Sequence, residues 1–321
     1  MSALPAFLPR TAGVIGPAVD RARAYAENAK APATRRAYAS DWRHFETWCA
    51  TAGLSCLPAV PETVALYIAA LAESHRTATI SRRMAAISAA HKAVGQQSPA
   101  SMRHGAVASV WHGIKRTQGM AHQGAKAPVL VENLRAMVRS LRPGVIGVRD
   151  RALLLVGFAG AFRRSELVSL NVEDIETTAD GSKVLIRRSK TDQEGQGQTV
   201  GIARGQKLCP VAALEAWLAA AGITSGPIFR RVNRHGQVLP GRLEPRAVAV
   251  VVQRYASVAG LDAARYGGHS LRAGLATQAA LNDVPERIIQ KQTRHKSADM
   301  LRRYIRDASL FRENASARVG L

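Results

Sequence analysis

The stretch that decides how this sequence is interpreted is Gly268-His-Ser-Leu-Arg-Ala-Gly274. It opens a helix that the apolar spacing predicts over residues 270–281, with His269 and Arg272 three positions apart. Side chains at this spacing lie on one face of a helix. An imidazole and a guanidinium directed at one target suit an anionic group such as a phosphate.

Three other segments carry side chains of related chemistry. They are Ala161-Phe-Arg-Arg-Ser-Glu-Leu167, the basic strand that ends at Lys190, and the region from His295 to Tyr304. Together these groups could hold a phosphodiester, neutralise the charge of its transition state and let a tyrosine attack phosphorus without a metal. The six residues are Arg163, Lys190, His269, Arg272, His295 and Tyr304.

Each of these residues has a simpler interpretation when it is taken alone. Arg163 beside Arg164 could be a solvated pair, and Lys190 could be a surface charge in a hairpin turn. His269 could be a helix cap, and Tyr304 on an amphipathic helix would usually pack in a core. Their order and spacing favour the catalytic interpretation.

The chain is strongly basic. It has 321 residues, with 45 Lys and Arg against 23 Asp and Glu, and a formal net charge of +22. This charge favours a polyanionic partner, with nucleic acid as the first candidate and a merely soluble basic protein as the alternative. Residues 1–127 hold 15 basic and 6 acidic side chains, and the remainder holds 30 and 17. Both halves are therefore basic, which suits two domains that grip one duplex.

Membrane and metal-dependent functions find little support. The longest apolar run, residues 152–162, is too short to cross a bilayer, and the N-terminus lacks a secretory pattern. Three scattered cysteines fit no zinc spacing, and four histidines between residues 91 and 122 match no common metal motif. We expect a cytoplasmic protein with no metal or other cofactor and no membrane partner.

Hydrophobic periodicity predicts a mainly α fold with a small β-sheet. Residues 1–16 are expected to form a mobile tail, and helical patterns follow, one with an aromatic stripe from Tyr38 to Trp48. Residues 119–128 have the composition of a linker. Beyond it the pattern is helical, apart from β-like segments at 183–190 and 199–202. The sequence predicts domains at residues 1–127 and 128–321.

Three of these segments, called boxes below, resemble the tyrosine recombinases of the phage integrase family in their sequence and order. They are residues 161–167, 268–274 and 295–304. The resemblance covers about residues 30–315, and the Tyr-Ile-Arg run at 304–306 and the N-terminal helical layout look most like Cre-type members. It implies a two-domain, C-shaped DNA clamp with a helical core DNA-binding domain and a catalytic domain. It also implies a site-specific recombinase that cleaves and rejoins strands through a 3′-phosphotyrosyl intermediate, without metal or ATP.

The resemblance implies roles for the cations of the first two boxes. Arg163 lies in the family pattern Gly-Leu-Arg-x-x-Glu-Leu, in which Ala161 stands at the position of the glycine. His269 and Arg272 match the His-x-x-Arg box. We expect both arginines to fork onto nonbridging phosphate oxygens, and Glu166 to orient neighbouring donors.

The resemblance also implies which groups transfer protons. Tyr304 matches the nucleophile, nine residues after His295, which holds a position taken by His or Trp and would donate a hydrogen bond to the phosphate. We expect His269 to be the base that receives the tyrosine proton. Lys190 matches the lysine of a hairpin turn and is the candidate acid for the departing 5′ oxygen.

Family members work as tetramers on double-stranded DNA at two sites built from inverted repeats. The resemblance implies the same homo-oligomer here, associated with the nucleoid when bound to DNA. The tail at residues 307–321 resembles the segment that docks into a neighbouring protomer.

Further basic residues are candidates for DNA contact outside the catalytic centre. Two predicted basic helices could enter the major groove, other residues flank the linker, and two precede Lys190. A solvated charged face is the alternative for each. The candidates are Arg82, Arg83, Lys115, Arg116, Arg187, Arg188, Arg246 and Arg254.

The chain departs from the common family pattern in three further places. Thr293-Arg294-His295 stands where Leu-Gly-His is frequent, Met300-Leu301 stands where Thr-Thr is usual, and Ala273 replaces a second histidine. None of these changes removes a catalytic group. Two rival functions remain at this point: a type IB topoisomerase, which the compact two-domain layout disfavours, and a non-catalytic DNA-binding regulator, which the full residue set disfavours.

Overall fold

A computed structural model describes residues 16–119, 126–189, 196–295 and 297–299, together with Leu301, Arg302, Tyr304 and Val319. The chain divides into two compact units, residues 1–123 and 124–321. Within the described residues, we find no helix with the length and apolar character needed to span a membrane. The roles of the two predicted domains, in DNA binding and catalysis, remain predictions at this stage.

The regular secondary structure in the described part of the N-terminal unit consists of helices. Two helices begin at a proline, Pro32 and Pro61, where the missing N–H costs nothing because it would have no helical partner. Phe45 and Tyr67 are fully buried between the helices, and their rings meet nearly edge to face with centroids 4.9 Å apart. The helices are α1 (Gly16–Asn28), α2 (Pro32–Ala52), α3 (Pro61–Ala72), α4 (Thr77–Ala93) and α5 (Gly105–Gln118).

The C-terminal unit combines seven helices with two small sheets among its described residues. Its helices are α6 (Val131–Arg139), α7 (Val145–Ala159), α8 (Arg164–Ser169), α9 (Pro210–Ala221), α10 (Pro245–Val258), α11 (Ser270–Leu281) and α12 (Glu286–Thr293). Its strands are β1 (Ile175–Thr177), β2 (Gly181–Ile186), β3 (Gln198–Ala203), β4 (Arg230–Val232) and β5 (Val238–Arg242).

Helix α7 forms the centre of the C-terminal unit, as its continuous apolar run predicts. Leu153 and Leu154 are fully buried, and Trp217 of α9 packs in the same core.

Helix α11 lies close against α7 because Gly157 of α7 has no side chain: a Cβ there would meet side-chain carbons of Leu167 and of Leu271 in α11, each at 2.9 Å. Gly274 of α11 lies against the segment that leads into α6. A Cβ there would meet the carbonyl oxygen of Val129 at 2.1 Å. These two close approaches hold the helix that carries the His-x-x-Arg box next to α7 and to the segment that leads into α6.

The two predicted β segments pair as β2 and β3, and β1, which was not predicted, completes an antiparallel sheet of three strands in the order β1-β2-β3. Lys183 of β2 lies opposite Glu176 of β1 and Gly201 of β3, and it forms an ion pair with Glu176 at 2.8 Å. The turn that follows β2, including Lys190, lies outside the described residues. The hairpin β4-β5 was not predicted, because Pro240 and Gly241 normally interrupt strands.

The turn between α7 and α8 contains a strained residue. Ala161 has a φ of 46°, in the left-handed region where a Cβ is unfavourable, and its side chain is fully buried. The family pattern has glycine at this position, and glycine adopts this conformation without steric cost. The turn nevertheless keeps its shape because guanidinium groups bind its carbonyl oxygens, as described below.

A buried charge network should contribute strongly to the stability of the C-terminal unit. Asp150 is fully buried and accepts hydrogen bonds from Arg149 at 2.9 and 2.7 Å and from the Tyr255 hydroxyl at 2.9 Å. Asp150→Asn should lower the free energy of unfolding by about 3 kcal/mol, because it leaves the buried Arg149 without a counterion.

Urea denaturation tests this, followed by the fluorescence of Trp217 in a chain whose other three tryptophans are replaced by phenylalanine. Tyr255→Phe is the control and should cost about 1 kcal/mol, because it removes one hydrogen bond. An equal and small loss in both variants would contradict the role of the Asp150 charge.

Ala161→Gly should stabilise the same unit by about 1 kcal/mol, because it relieves the left-handed strain. The same urea experiment measures the gain. Ala216→Gly, at an exposed position of α9, is the matched control and should destabilise the unit by a similar amount. A loss of stability in Ala161→Gly would show that the turn is not strained.

Candidate active site

The turn after α7 and the first turn of α8 form one side of the candidate site. Arg163 precedes α8, and the Glu166 carboxylate accepts its backbone N–H at 2.9 Å and its Nη1 at 2.6 Å. The local sequence accounts for this geometry, since an acidic residue three positions after a helix start reaches back to the free N–H. Arg163 keeps 18% of its side chain exposed, so its guanidinium can still reach a ligand.

Glu166 is the buried anion of the site, with 2% of its surface exposed. Burial raises the pKa of its carboxyl group, but hydrogen bonds from Arg163 and the charges of Arg294 and Arg163 outweigh burial and hold the pKa below its ordinary value. Glu166 is therefore ionised at neutral pH. Its predicted role in orienting neighbouring donors remains a prediction, with contacts that are consistent with it.

Arg272 projects from α11 towards the same turn. Its side chain is 1% exposed, and Nη1 donates to the carbonyl oxygen of Ala161 at 2.9 Å. Nη2 is buried and has no acceptor among the residues that the structure describes. Burial, together with the charges of Arg163 and Arg294, lowers the pKa of Arg272 to about 9. A cation in this situation is stabilised by any anion that enters.

Arg294 is a site residue that the sequence analysis did not identify. It follows α12 in the left-handed conformation, with φ 57°, and its guanidinium turns inward. It donates to Glu166 Oε2 at 3.0 Å and to the carbonyl oxygens of Gly160 and Ala161, each at 3.0 Å. The available signal was an arginine at a position where the family often has glycine.

His269 and Tyr304, the predicted base and the predicted nucleophile, lie within hydrogen-bonding distance of each other. His269 Nε2 lies 3.1 Å from the Tyr304 hydroxyl oxygen. Part of the His269 residue is exposed, but protein atoms surround most of its ring. The resulting desolvation, followed by the charges of Arg272 and Arg163, lowers the pKa of His269. A neutral imidazole at neutral pH can accept the tyrosine proton.

His295 lies behind this pair and is 6% exposed. Its Nδ1 is 2.8 Å from Thr293 Oγ1, and its ring centroid is 6.0 Å from that of Tyr304. Burial, followed by the charges of Arg272 and Arg163, lowers the pKa of His295 to about 4. The free site therefore holds a neutral His295 that Thr293 keeps in a fixed orientation.

Five of the six sequence-predicted catalytic residues meet in one place. The sixth, Lys190, lies outside the described residues. Helix α12 is connected to the sheet that leads to it, because Gln292 Nε2 donates to the carbonyl oxygens of Ala159 and Gly201 at 2.8 and 3.0 Å. Within the described part of the chain, no group of three or more His, Cys, Asp or Glu side chains could hold a metal ion.

The predicted DNA contacts of the N-terminal unit differ in exposure. Arg82 is half exposed and pairs with Asp41 at 2.7 and 3.0 Å. Arg83 is buried, and its guanidinium contacts His44 and Tyr67 at 2.9 and 3.2 Å. This burial argues against the predicted contact of Arg83 with DNA.

The other candidate DNA contacts lie at or near the surface. Lys115 lies over the Trp111 ring, Arg187 pairs with Asp174, and Arg254 approaches Asp150 at 4.0 Å while 32% of its side chain stays exposed. The remaining candidates are exposed: Arg116, Arg188 and Arg246. Exposure leaves them available to a ligand without identifying one.

Solved structures with this fold include DNA recombinases. A crystal structure of the XerH site-specific recombinase bound to a palindromic difH substrate matches with a TM-score of 0.58 at 18% identity, covering 80% of this chain and 72% of that one. A lambda integrase tetramer bound to a Holliday junction matches with a TM-score of 0.57 at 15% identity, covering 89% and 75%. At these identities the likeness establishes the fold.

Sequence comparison establishes the family. An integrase/recombinase xerD homolog of Selenomonas ruminantium is 41% identical over 305 residues, covering 93% of this chain and 89% of the homolog. Tyrosine recombinase XerC of Myxococcus xanthus is 26% identical over 303 residues, covering 90% and 93%.

Two family descriptions match the chain directly. The N-terminal SAM-like domain of phage integrases matches residues 24–97, and the phage integrase family matches residues 129–310. The second match extends from the start of the C-terminal unit past Tyr304 and includes all six predicted catalytic residues. The chain therefore belongs to the phage integrase family and is a tyrosine recombinase.

Proposed function

We propose that this tyrosine recombinase cleaves and rejoins DNA at a specific site, with Tyr304 as the nucleophile. The observation that carries the proposal is the 3.1 Å distance between the Tyr304 hydroxyl and His269 Nε2, next to the buried guanidinium of Arg272. A hydroxyl, a neutral base and an unsatisfied cation in one place are what attack on a phosphodiester requires.

In the cleavage step the Tyr304 oxygen forms a bond to phosphorus while its proton passes to His269 Nε2. The bond from phosphorus to the 5′ oxygen breaks, and Lys190 protonates that oxygen so that it leaves as a hydroxyl. The product is a 3′-phosphotyrosyl link. The 5′-hydroxyl of a partner strand then attacks the link, reseals the backbone and releases Tyr304. The covalent link retains the energy of the broken bond, so the cycle consumes no ATP.

Negative charge gathers on the nonbridging oxygens as the phosphorus becomes five-coordinate. Arg163 and Arg272 would bind these oxygens, and each preorganised donor of this kind contributes about 3 to 4 kcal/mol to the transition state. The donor Nη2 of Arg272, buried without an acceptor in the described residues, supports this role. A bound phosphate would also raise the pKa of His295, so that its ring becomes a donor to the phosphate.

The DNA partner and the assembly follow from the proposed reaction. Four strand breaks in two duplexes require several protomers, and we propose a homotetramer on two inverted-repeat sites. The tail at 307–321, proposed to dock into a neighbour, lies outside the described residues apart from Val319.

We propose the N-terminal unit as the core DNA-binding domain and the C-terminal unit as the catalytic domain. The proposed location is the cytoplasm, with nucleoid association when DNA is bound; the Cre-type likeness remains a prediction.

Tyr304→Phe should abolish formation of the covalent adduct, because phenylalanine has no oxygen to bond to phosphorus. The substrate is a nicked duplex that carries an inverted repeat from the DNA flanking the gene, and the adduct is detected as a mass shift on a denaturing gel. Tyr25→Phe, which changes a tyrosine that is 74% exposed, is the control and should react like the native chain. An adduct on the Tyr304→Phe chain would refute the assignment.

Lys190→Ala should slow adduct formation by about 100- to 1,000-fold, because the departing 5′ oxygen no longer receives a proton. A substrate with sulfur in place of that bridging oxygen should restore the rate, since a thiolate leaves without protonation. Single-turnover cleavage of both substrates measures the effect. Arg163→Ala is the control and should stay slow with oxygen and with sulfur, and the same failure in Lys190→Ala would rule out general acid catalysis.

A further inference from the structure

The side chain of Arg294 connects three parts of the active site. Its Nη1 donates to the carbonyl oxygens of Gly160 and Gln292, and its Nη2 donates to the carbonyl oxygen of Ala161 and to Glu166 Oε2, all at 3.0 Å. Its guanidinium carbon also lies 5.3 Å from the centre of the Phe162 ring. These contacts fix the turn that leads into Arg163.

The backbone at this position would suit glycine better than arginine. Arg294 has φ 57° and ψ 43°, which places its Cβ in an unfavourable position. Its side chain is 4% exposed, so a full positive charge is also withdrawn from water. Both features are costly, and the four hydrogen bonds and the ion pair with Glu166 offset them.

Glu166 has to divide one negative charge between two guanidinium groups. Oε1 binds Nη1 of Arg163 at 2.6 Å, while Oε2 binds Nη2 of Arg294 at 3.0 Å. Without Arg294, Glu166 would have Arg163 as its ion-pair partner among the described residues, and the pair would be close to neutral. With Arg294, the three groups carry a net charge of +1, and Arg163 retains attraction for an anion.

Arg294 also connects the two proposed phosphate-binding arginines. The carbonyl oxygen of Ala161 accepts a hydrogen bond from Arg294 Nη2 at 3.0 Å and one from Arg272 Nη1 at 2.9 Å. The same guanidinium therefore holds the acceptor that orients Arg272 and the carboxylate that orients Arg163.

We propose that Arg294 is a positioning residue for the cleavage reaction: it shares the charge of Glu166 so that Arg163 remains free to bind the phosphate, and it fixes the Ala161 carbonyl that orients Arg272. The proposal rests on the proposed function of the site. It assigns a role to the arginine in Thr293-Arg294-His295, one of the places where the chain departs from the common family pattern.

The first test is Arg294→Gly, which removes the side chain and also relieves the strained backbone. The single-turnover rate of adduct formation at saturating enzyme should fall by about 10- to 100-fold, while the affinity for the same duplex changes by less than about threefold. Arg287→Ala removes an exposed positive charge from α12 and is the matched control, with an expected rate near that of the native chain. An unchanged rate in Arg294→Gly would overturn the proposal.

The second test separates charge sharing from simple loss of structure. In the double variant Arg294→Gly with Glu166→Gln, the carboxylate that neutralises Arg163 is gone, so adduct formation should be at least about threefold faster than in Arg294→Gly alone. If Arg294 only supported the fold, the two changes would combine to give a slower enzyme than either single variant. That outcome would refute charge sharing. Arg294→Lys, which keeps the charge with fewer hydrogen bonds, should have an intermediate rate.

Failure of the proposed function can be told apart from failure of this inference. A native chain that forms no Tyr304 adduct refutes the proposed function. A native chain that reacts while Arg294→Gly reacts equally fast refutes only the role of Arg294.

A third test measures how far sodium orthovanadate, a phosphate mimic, raises the thermal unfolding temperature, which requires no cleavage of DNA. Stabilisation should weaken in Arg294→Gly and recover in the double variant, and equal stabilisation in all three chains would contradict charge sharing without reference to catalysis.

Discussion

The active site depends on one buried carboxylate among three guanidinium groups. Among the described residues Glu166 pairs with Arg163 and Arg294, and its single charge neutralises one of the three positive charges of Arg163, Arg272 and Arg294. The remaining excess is expensive to keep away from water, which the lowered pKa values of Arg272, Arg294 and His295 express. Such a site is incomplete without a polyanion, since a phosphate supplies the missing charge. In the proposed function, the same positive charges would therefore serve both to bind the DNA phosphate and to stabilise the transition state.

The packing around α7 serves this electrostatic arrangement. The turn after α7 carries the carbonyl oxygens of Gly160 and Ala161, and α11 packs closely enough against α7, at Gly157, for Arg272 to reach the Ala161 oxygen, while Arg294 binds both oxygens. Hydrogen bonds to these oxygens hold a left-handed alanine that would otherwise relax. The packed core therefore fixes the position of the strained turn, and the carbonyl oxygens of the turn orient the arginines that line the site.

Much of the fold and of the site could be predicted from the sequence because the informative residues lie in local patterns. The β2-β3 pairing follows from alternating side chains, and the box motifs marked five residues that do meet. Arg83 was harder to interpret, yet its spacing from Ile80 and Ile87 puts it on the buried face of α4, a signal that the adjacent Arg82 obscured. The role of Arg294 could not be predicted, because its contacts with Gly160 and Glu166 join residues more than 120 positions apart in the chain.

Gln292 has a mechanical consequence. Gln292 lies three residues before His295, and its amide joins β3 to the end of α7. Strand β3 pairs along its length with β2, the strand that precedes Lys190. If this hairpin moved when DNA binds, the movement would be transmitted through Gln292 to α12, and so to His295, which follows α12. In the proposed function, protonation of the leaving group by Lys190 and binding of the phosphate by His295 would then be mechanically coupled.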